Sequence, residues 1–143
     1  MAEISAKLVK QLRDKTNAGI MNCKKALTET NGDIEAAEKW LKEKGMSDAA
    51  KKSGRETSQG IIAISVSDDK KIGTLAELKC ETDFVARNDD YKVFGTNLAS
   101  SFFGEDNPTT ESVSDKYGSQ VKEAIAKFGE NITLGRVAKL TVG

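Results

Sequence analysis

A chain of 143 residues is long enough for one ordinary domain, or for a small domain joined to a medium one. Lys+Arg and Asp+Glu both number 22, so the formal net charge is zero and no overall field draws the chain onto nucleic acid or anionic lipid. The chain has no histidine, which removes the commonest general base, the usual zinc ligand and the usual pH switch. Cys23 and Cys80 stand far apart without a CxxC neighbour, so reduced thiols in a cytosolic protein are expected, with neither a metal site nor a disulfide framework. No signal-peptide pattern and no stretch long and apolar enough to span a bilayer is read in the sequence.

In chain order, the first part reads as three short helices. Ser5 is placed to cap the first and Ile4 to staple onto Val9, with Leu8, Val9 and Leu12 as its apolar face. Asn17-Ala18-Gly19 ends it, and Asn22 is expected to cap a second helix through Cys23, Ala26 and Leu27. Asn31-Gly32 is a turn signal, Asp33 caps a third helix carrying Ile34, Ala37 and Leu41, and Gly45 is expected to close it. Residues 46–60 are poor in bulky apolar side chains and read as a linker, partly helical in DAAKK. The expected division is therefore 1–45, a three-helix domain; 46–60, a linker; and 61–143, an α+β core.

In that core the period changes. Ile62, Ile64 and Val66 alternate with smaller residues, as in a strand. Asp68 to Lys71 form a hairpin connection. A second strand follows, with Ile72, Thr74, Ala76, Leu78 and Cys80 on one face and Leu75, Glu77, Lys79 and Glu81 on a mostly wet one. Tyr91, Phe94, Leu98 and Phe102 have helical spacing, Asn107-Pro108 breaks that helix, and TTES reads as loop. Tyr117 to Phe128 form a second helix, ended by Gly129, and Ile132, Leu134, Ala138, Leu140 and Val142 predict a third strand by alternation. The fold class is α+β: a three-helix domain, then a small antiparallel three-stranded sheet packed with two helices.

No catalytic constellation emerges: there is no phosphate loop, no nucleophile elbow, and the paired acids Asp68-Asp69 and Asp89-Asp90 sit in turns. A thiol enzyme at Cys23 or Cys80 lacks a base. Two stretches carry competing readings. In Ala18-Gly19-Ile20-Met21, the apolar pair either caps the small bundle or meets a partner, as the corresponding loop of ubiquitin-associated domains does. In CETDFVAR, Thr82 or Asp83 can cap a short turn; Phe84 either folds into the core or points outward into something else.

Several segments, taken together, resemble one family. KLVKQLRDKTNAGIMNCKKAL, NGDIEAAEKWL, AAKK, CETDFVARND and AIAKFGENITLGRV are similar, in order, to bacterial or organellar elongation factor Ts, in a short or C-terminally truncated form. The resemblance implies a non-enzymatic guanine-nucleotide exchange factor with a ubiquitin-associated-like first domain, acting on elongation factor Tu in the cytoplasm or an organellar matrix. It needs no cofactor, no metal of its own, no nucleic acid and no membrane. It implies contact roles for Leu8, Val9, Arg13, Ile20, Met21 and Lys24, where position 20 is commonly Met in the family. It also implies that Thr82, Asp83, Phe84 and Val85 form the element that dislodges the partner's Mg²⁺, with Phe84 as wedge and Asp83 fixing it by hydrogen bonds. Long members continue into a second half-core, a coiled-coil hairpin and a C-terminal module. A last strand with an open edge leads to the expectation of a homodimer through the core sheet. The alternative is a binding module that docks through the helical domain without exchanging nucleotide.

Overall fold

The computed structural model describes residues 3–16 and 18–143; Asn17, expected to help end the first helix, lies outside them. Helix α1 (Ala6–Thr16) starts where Ser5 Oγ accepts from the Leu8 amide, and Ile4 and Val9 both pack on the core of the helical unit. Helix α2 (Ile20–Glu29) corrects the expected start at Asn22. Gly19, extended at φ −61° and ψ 149°, is its N-cap, and no side chain caps it. Asp33 caps α3 (Ile34–Lys52) by accepting from the Ala36 amide. Leu12, Cys23, Ala26, Leu27 and Ala37 form the buried centre of these three helices.

Gly45 does not end α3. The helix runs on to Lys52, through the first half of the expected linker. A glycine inside a helix costs about 1 kcal/mol relative to alanine. Here it lets α3 lie against α7 (Gly118–Phe128): a Cβ at Gly45 would stand 3.4 Å from the Ala126 Cβ. Ala49, one turn further, is buried in the core of the second unit. Tertiary packing thus outweighs the local stop signal.

The sheet is antiparallel in the order β1 (Gln59–Val66), β2 (Ile72–Cys80), β3 (Thr133–Thr141), with β1 and β3 at its edges. Asp69 holds the β1–β2 hairpin by accepting from the Ser67 hydroxyl and the Lys71 amide, while Lys70 takes a left-handed φ of 63°. Thr74, Ala76, Leu78 and Cys80 of β2 are buried, as their alternation predicts. In β1 the bulky residues Ile62, Ile64 and Val66 face solvent, and the smaller Ala63 is the buried one. The reason is α5 (Asp89–Ser101), whose Gly95 sits so close to β1 and β2 that a Cβ there would come within 3.0 Å of Ile61 and 3.1 Å of Ala63.

Short α4 (Asp83–Arg87) precedes α5, and a 3₁₀ turn (Phe102–Gly104) follows it. TTES is not loop: Thr109 and Ser112 form a reciprocal capping box that opens α6 (Thr110–Lys116). Helix α7 (Gly118–Phe128) ends at Gly129, φ 75°, as expected. The core among the described residues therefore has more helices than the expected two, but its class stands: an N-terminal helical unit, then helices on a three-stranded antiparallel sheet.

Strand β3 departs from simple alternation. A register shift opposite Ala76 to Leu78 brings both Leu134 and Val137 to the inner face and turns Ala138 and Leu140 outward. Glu77 fills the irregularity. Its Oε1 accepts from the Arg136 amide at 2.7 Å and Nε at 2.8 Å, and its Oε2 from the guanidinium at 3.1 Å. A Cβ on Gly135 would lie 2.8 Å from that carboxylate. The Arg136 hydrogen bonds hold Glu77 down from its ordinary 4.5 to about 2. A carboxyl depressed on folding stabilises the fold when ionised, and that contribution fades as pH falls from 4.5 through about 2. Thermal unfolding of Glu77→Gln against wild type should therefore show a Tm deficit near neutral pH that closes at the acid end of this window. A deficit of equal size at all pH values would show that the charge is not responsible.

Candidate protein-binding site

Strand β2 delivers the chain to Thr82, which is extended (φ −123°, ψ 156°) and caps α4 by accepting from the Val85 amide. The Ala86 amide donates to the Thr82 carbonyl, Ala86 is buried, and Val85 packs on the sheet core. That side of α4 is therefore its inner side. Phe84 is on the other: it is 84% exposed. Asp83, half-buried beside it, pairs with Arg87 one turn on at 3.4 Å. An exposed pair of this kind is weak, which leaves the carboxylate free to exchange Arg87 for another donor.

Five residues cannot sustain a helix alone, because helix nucleation is unfavourable. The base of the turn is held from the loop after α7. Glu130 Oε1 accepts from the amides of Glu81 at 3.2 Å and Thr82 at 3.0 Å, and Oε2 accepts from the Thr82 hydroxyl at 2.6 Å. In return Glu81 Oε1 accepts from the Asn131 amide at 2.7 Å and from Arg55 at 3.5 Å, while the buried Asn131 donates to the Arg55 carbonyl. The Asn131 amide is the main reason that Glu81 is held below the usual carboxylate range, with Arg55 adding to it. Sequence reading missed Glu130. Its signal was an acid directly after Gly129, where the negative end of α7 disfavours a carboxylate unless it has donors elsewhere.

A second apolar tip opens α2. Ile20 is 53% and Met21 75% exposed, so neither caps the bundle core. The chain into them is pinned: Thr16 Oγ1 donates to the Leu12 carbonyl and accepts from the Ala18 amide, and the Cys23 thiol donates to the Ala18 carbonyl. Lys24 is one turn beyond Ile20 and exposed; Arg13 is exposed on α1, one turn beyond Val9. Leu8 and Val9 are half-buried, given in part to the helical core. The two groups of expected contact residues thus sit on separate packing units, each rigidly based.

Both thiols are buried and unpaired, and burial pushes both above the ordinary thiol range. A protonated, enclosed thiol is a poor nucleophile. No group of three or more Cys, Asp or Glu among the described residues is placed to hold a metal ion. A crevice of about 1110 Å³ between α3 and α7 is lined by Lys15, Lys42 and Lys122 together with Glu38, Asp48 and Glu123, so it has no single-sign field for a phosphate. No described helix is long and apolar enough to cross a membrane.

In both packing units, exposed apolar side chains stand on turns held by hydrogen bonds. Comparison with known proteins gives the chain a family. The family model for the N-terminal region of mitochondrial elongation factor Ts matches residues 1–54, and the elongation factor TS model matches residues 81–143. Elongation factor Ts of Desulfovibrio desulfuricans is 47% identical over 97% of this chain and 49% of its own length. That of Clostridium botulinum Eklund 17B is 49% identical over 97% of this chain and 48% of its own. That of Hyphomonas neptunium is 50% identical over 99% of this chain and 49% of its own. The chain belongs to the elongation factor Ts family, and it spans about half the length of the curated relatives it matches.

Proposed function

We propose that the chain acts in translation elongation as a non-enzymatic nucleotide-exchange factor for elongation factor Tu, in the cytoplasm of a bacterium or in an organellar matrix. The observation that carries this reading is Phe84: an aromatic ring turned away from its own core on a capped, clamped turn. In this reading the helical domain, with Leu8, Val9, Arg13, Ile20, Met21 and Lys24, docks on the GTPase. Thr82 and Val85 shape the wedge, and Asp83 and Phe84 enter the partner and disturb its Mg²⁺ site. Mg²⁺ and the phosphate loop hold the nucleotide in a GTPase. Moving one helix spoils that coordination, and factor and nucleotide then weaken each other's binding reciprocally. A thousandfold faster release requires a barrier lower by ~4 kcal/mol, of which burial of one ring supplies ~1.5–3 kcal/mol. The test is the release of fluorescent GDP from elongation factor Tu. Wild-type chain should accelerate it; binding without acceleration would leave only the docking-module alternative.

We further propose a homodimer through the core sheet. Ile62, Ile64, Val66, Leu75 and Leu140 line its outer face and are exposed, and both edge strands have open sides. Light scattering should show a dimer that Ile64→Lys dissociates; a monomer throughout the concentration range rules this out.

A further inference from the structure

Phe84 is 84% exposed, so little of it rests on the protein itself. Where the ring points is decided by the backbone beneath it, and α4 is too short to set that backbone alone. Val85 and Ala86 fix which side of the turn faces the sheet. The entry to the turn is held by Glu130, beside the Cys80 thiol, which donates to the Thr82 carbonyl. Both oxygens of Glu130 are committed to it: two amide donors on one, the Thr82 hydroxyl on the other. The same hydroxyl oxygen caps α4, so Glu130 also orients the cap. These are charge-assisted hydrogen bonds, roughly twice as strong as neutral ones. They reach across 48 or 49 residues of sequence, and the return bonds from Asn131 to Glu81 and Arg55 tie the same knot to the end of α3.

We propose that Glu130 is a positioning residue for the Phe84 tip: it holds the tip in its binding geometry before any partner arrives. This rests on the exchange reading for its consequence, and on the hydrogen bonds alone for its mechanism. A tip ordered in advance loses less conformational freedom on entering a partner, so its ring burial is spent on the complex. Glutamate at this place serves through acceptor oxygens at a set reach. Glutamine keeps the reach and one acceptor oxygen for the amides, and alanine keeps neither.

The experiment has two arms, on the full 143-residue chain with wild type, Glu130→Ala and Glu130→Gln. Hydrogen exchange resolved by residue needs no partner. In Glu130→Ala the amides of Glu81 and Thr82 should exchange at least about tenfold faster, the scale of a lost charged hydrogen bond, while amides in the middle of β2 hold. GDP release from elongation factor Tu is then measured with the same proteins. Glu130→Ala should lose roughly tenfold in stimulation, and Glu130→Gln, which keeps one acceptor oxygen without the charge, should recover part of both effects. Unchanged amides at 81 and 82, or acceleration spread evenly over the sheet, would overturn the clamp. Loosened amides with undiminished stimulation would overturn its positioning role. Failure of wild type to stimulate release would instead sink the exchange reading, with the first arm still deciding the clamp.

Discussion

Phe84→Ala should abolish most of the chain's effect on GDP release from elongation factor Tu and leave its melting temperature unchanged. The residue is 84% exposed, so removing its ring leaves no buried cavity. Surface substitutions of this kind stay within roughly 0.5 kcal/mol of wild type. What is lost is the burial expected in the complex, about 1.5–3 kcal/mol, or roughly ten- to hundredfold in release rate. Two measurements separate the cases: a thermal melt of the free chain and a fluorescent-GDP release assay. A large fall in Tm would mean that the ring supports its own fold; normal release by the variant would mean that the wedge role is wrong.

Phe102→Ala should do the reverse. Phe102 is fully buried where α5 tightens into its 3₁₀ turn, with its ring edge-on to Tyr117 at 5.1 Å between centroids. Tyr117 is itself held there, donating from its hydroxyl to the Ser101 carbonyl. Truncating a buried phenylalanine costs about 3–5 kcal/mol through lost transfer energy and a cavity. That is a large part of the ~5–15 kcal/mol by which a domain is stable. The melting temperature should fall by roughly 10–20 °C. Stimulation of release per folded molecule should survive at temperatures well below the transition, because the tip lies elsewhere. A change of less than about 1 kcal/mol in chemical unfolding would contradict the packing described.

Only spacing separates the two phenylalanines in the sequence: Phe102 continues the helical row of Tyr91, Phe94 and Leu98, whereas Phe84 belongs to no such row. Phe84 is turned out because Val85 and Ala86 occupy the side of α4 that faces the sheet. Taken alone, residue type favours burial for both. The family resemblance pointed Phe84 outward where composition did not, and its exposure agrees with that direction.

Much of the chain was legible locally. Ser5 and Asp33 cap α1 and α3, Gly129 ends α7, and the alternation of β2 names its buried face, because each of these signals acts within a few residues. Others were equally local and misread: Thr109 and Ser112 formed a capping box in a stretch taken for loop. The remaining outcomes depended on contacts that no window contains. Helix α3 crosses Gly45 because α7 packs against it there. The outer apolar row of β1 follows from α5 packing on Ile61 and Ala63 of the other face, and β3 changes face at a shift filled by Glu77. Sequence alone thus determined the class and the order of most elements, and it marked two apolar tips whose direction it left open. Tertiary structure decided which way those tips point and what holds them. A hydrogen bond from Glu130 to the turn at Thr82 joins residues that meet only after the sheet and α7 have packed.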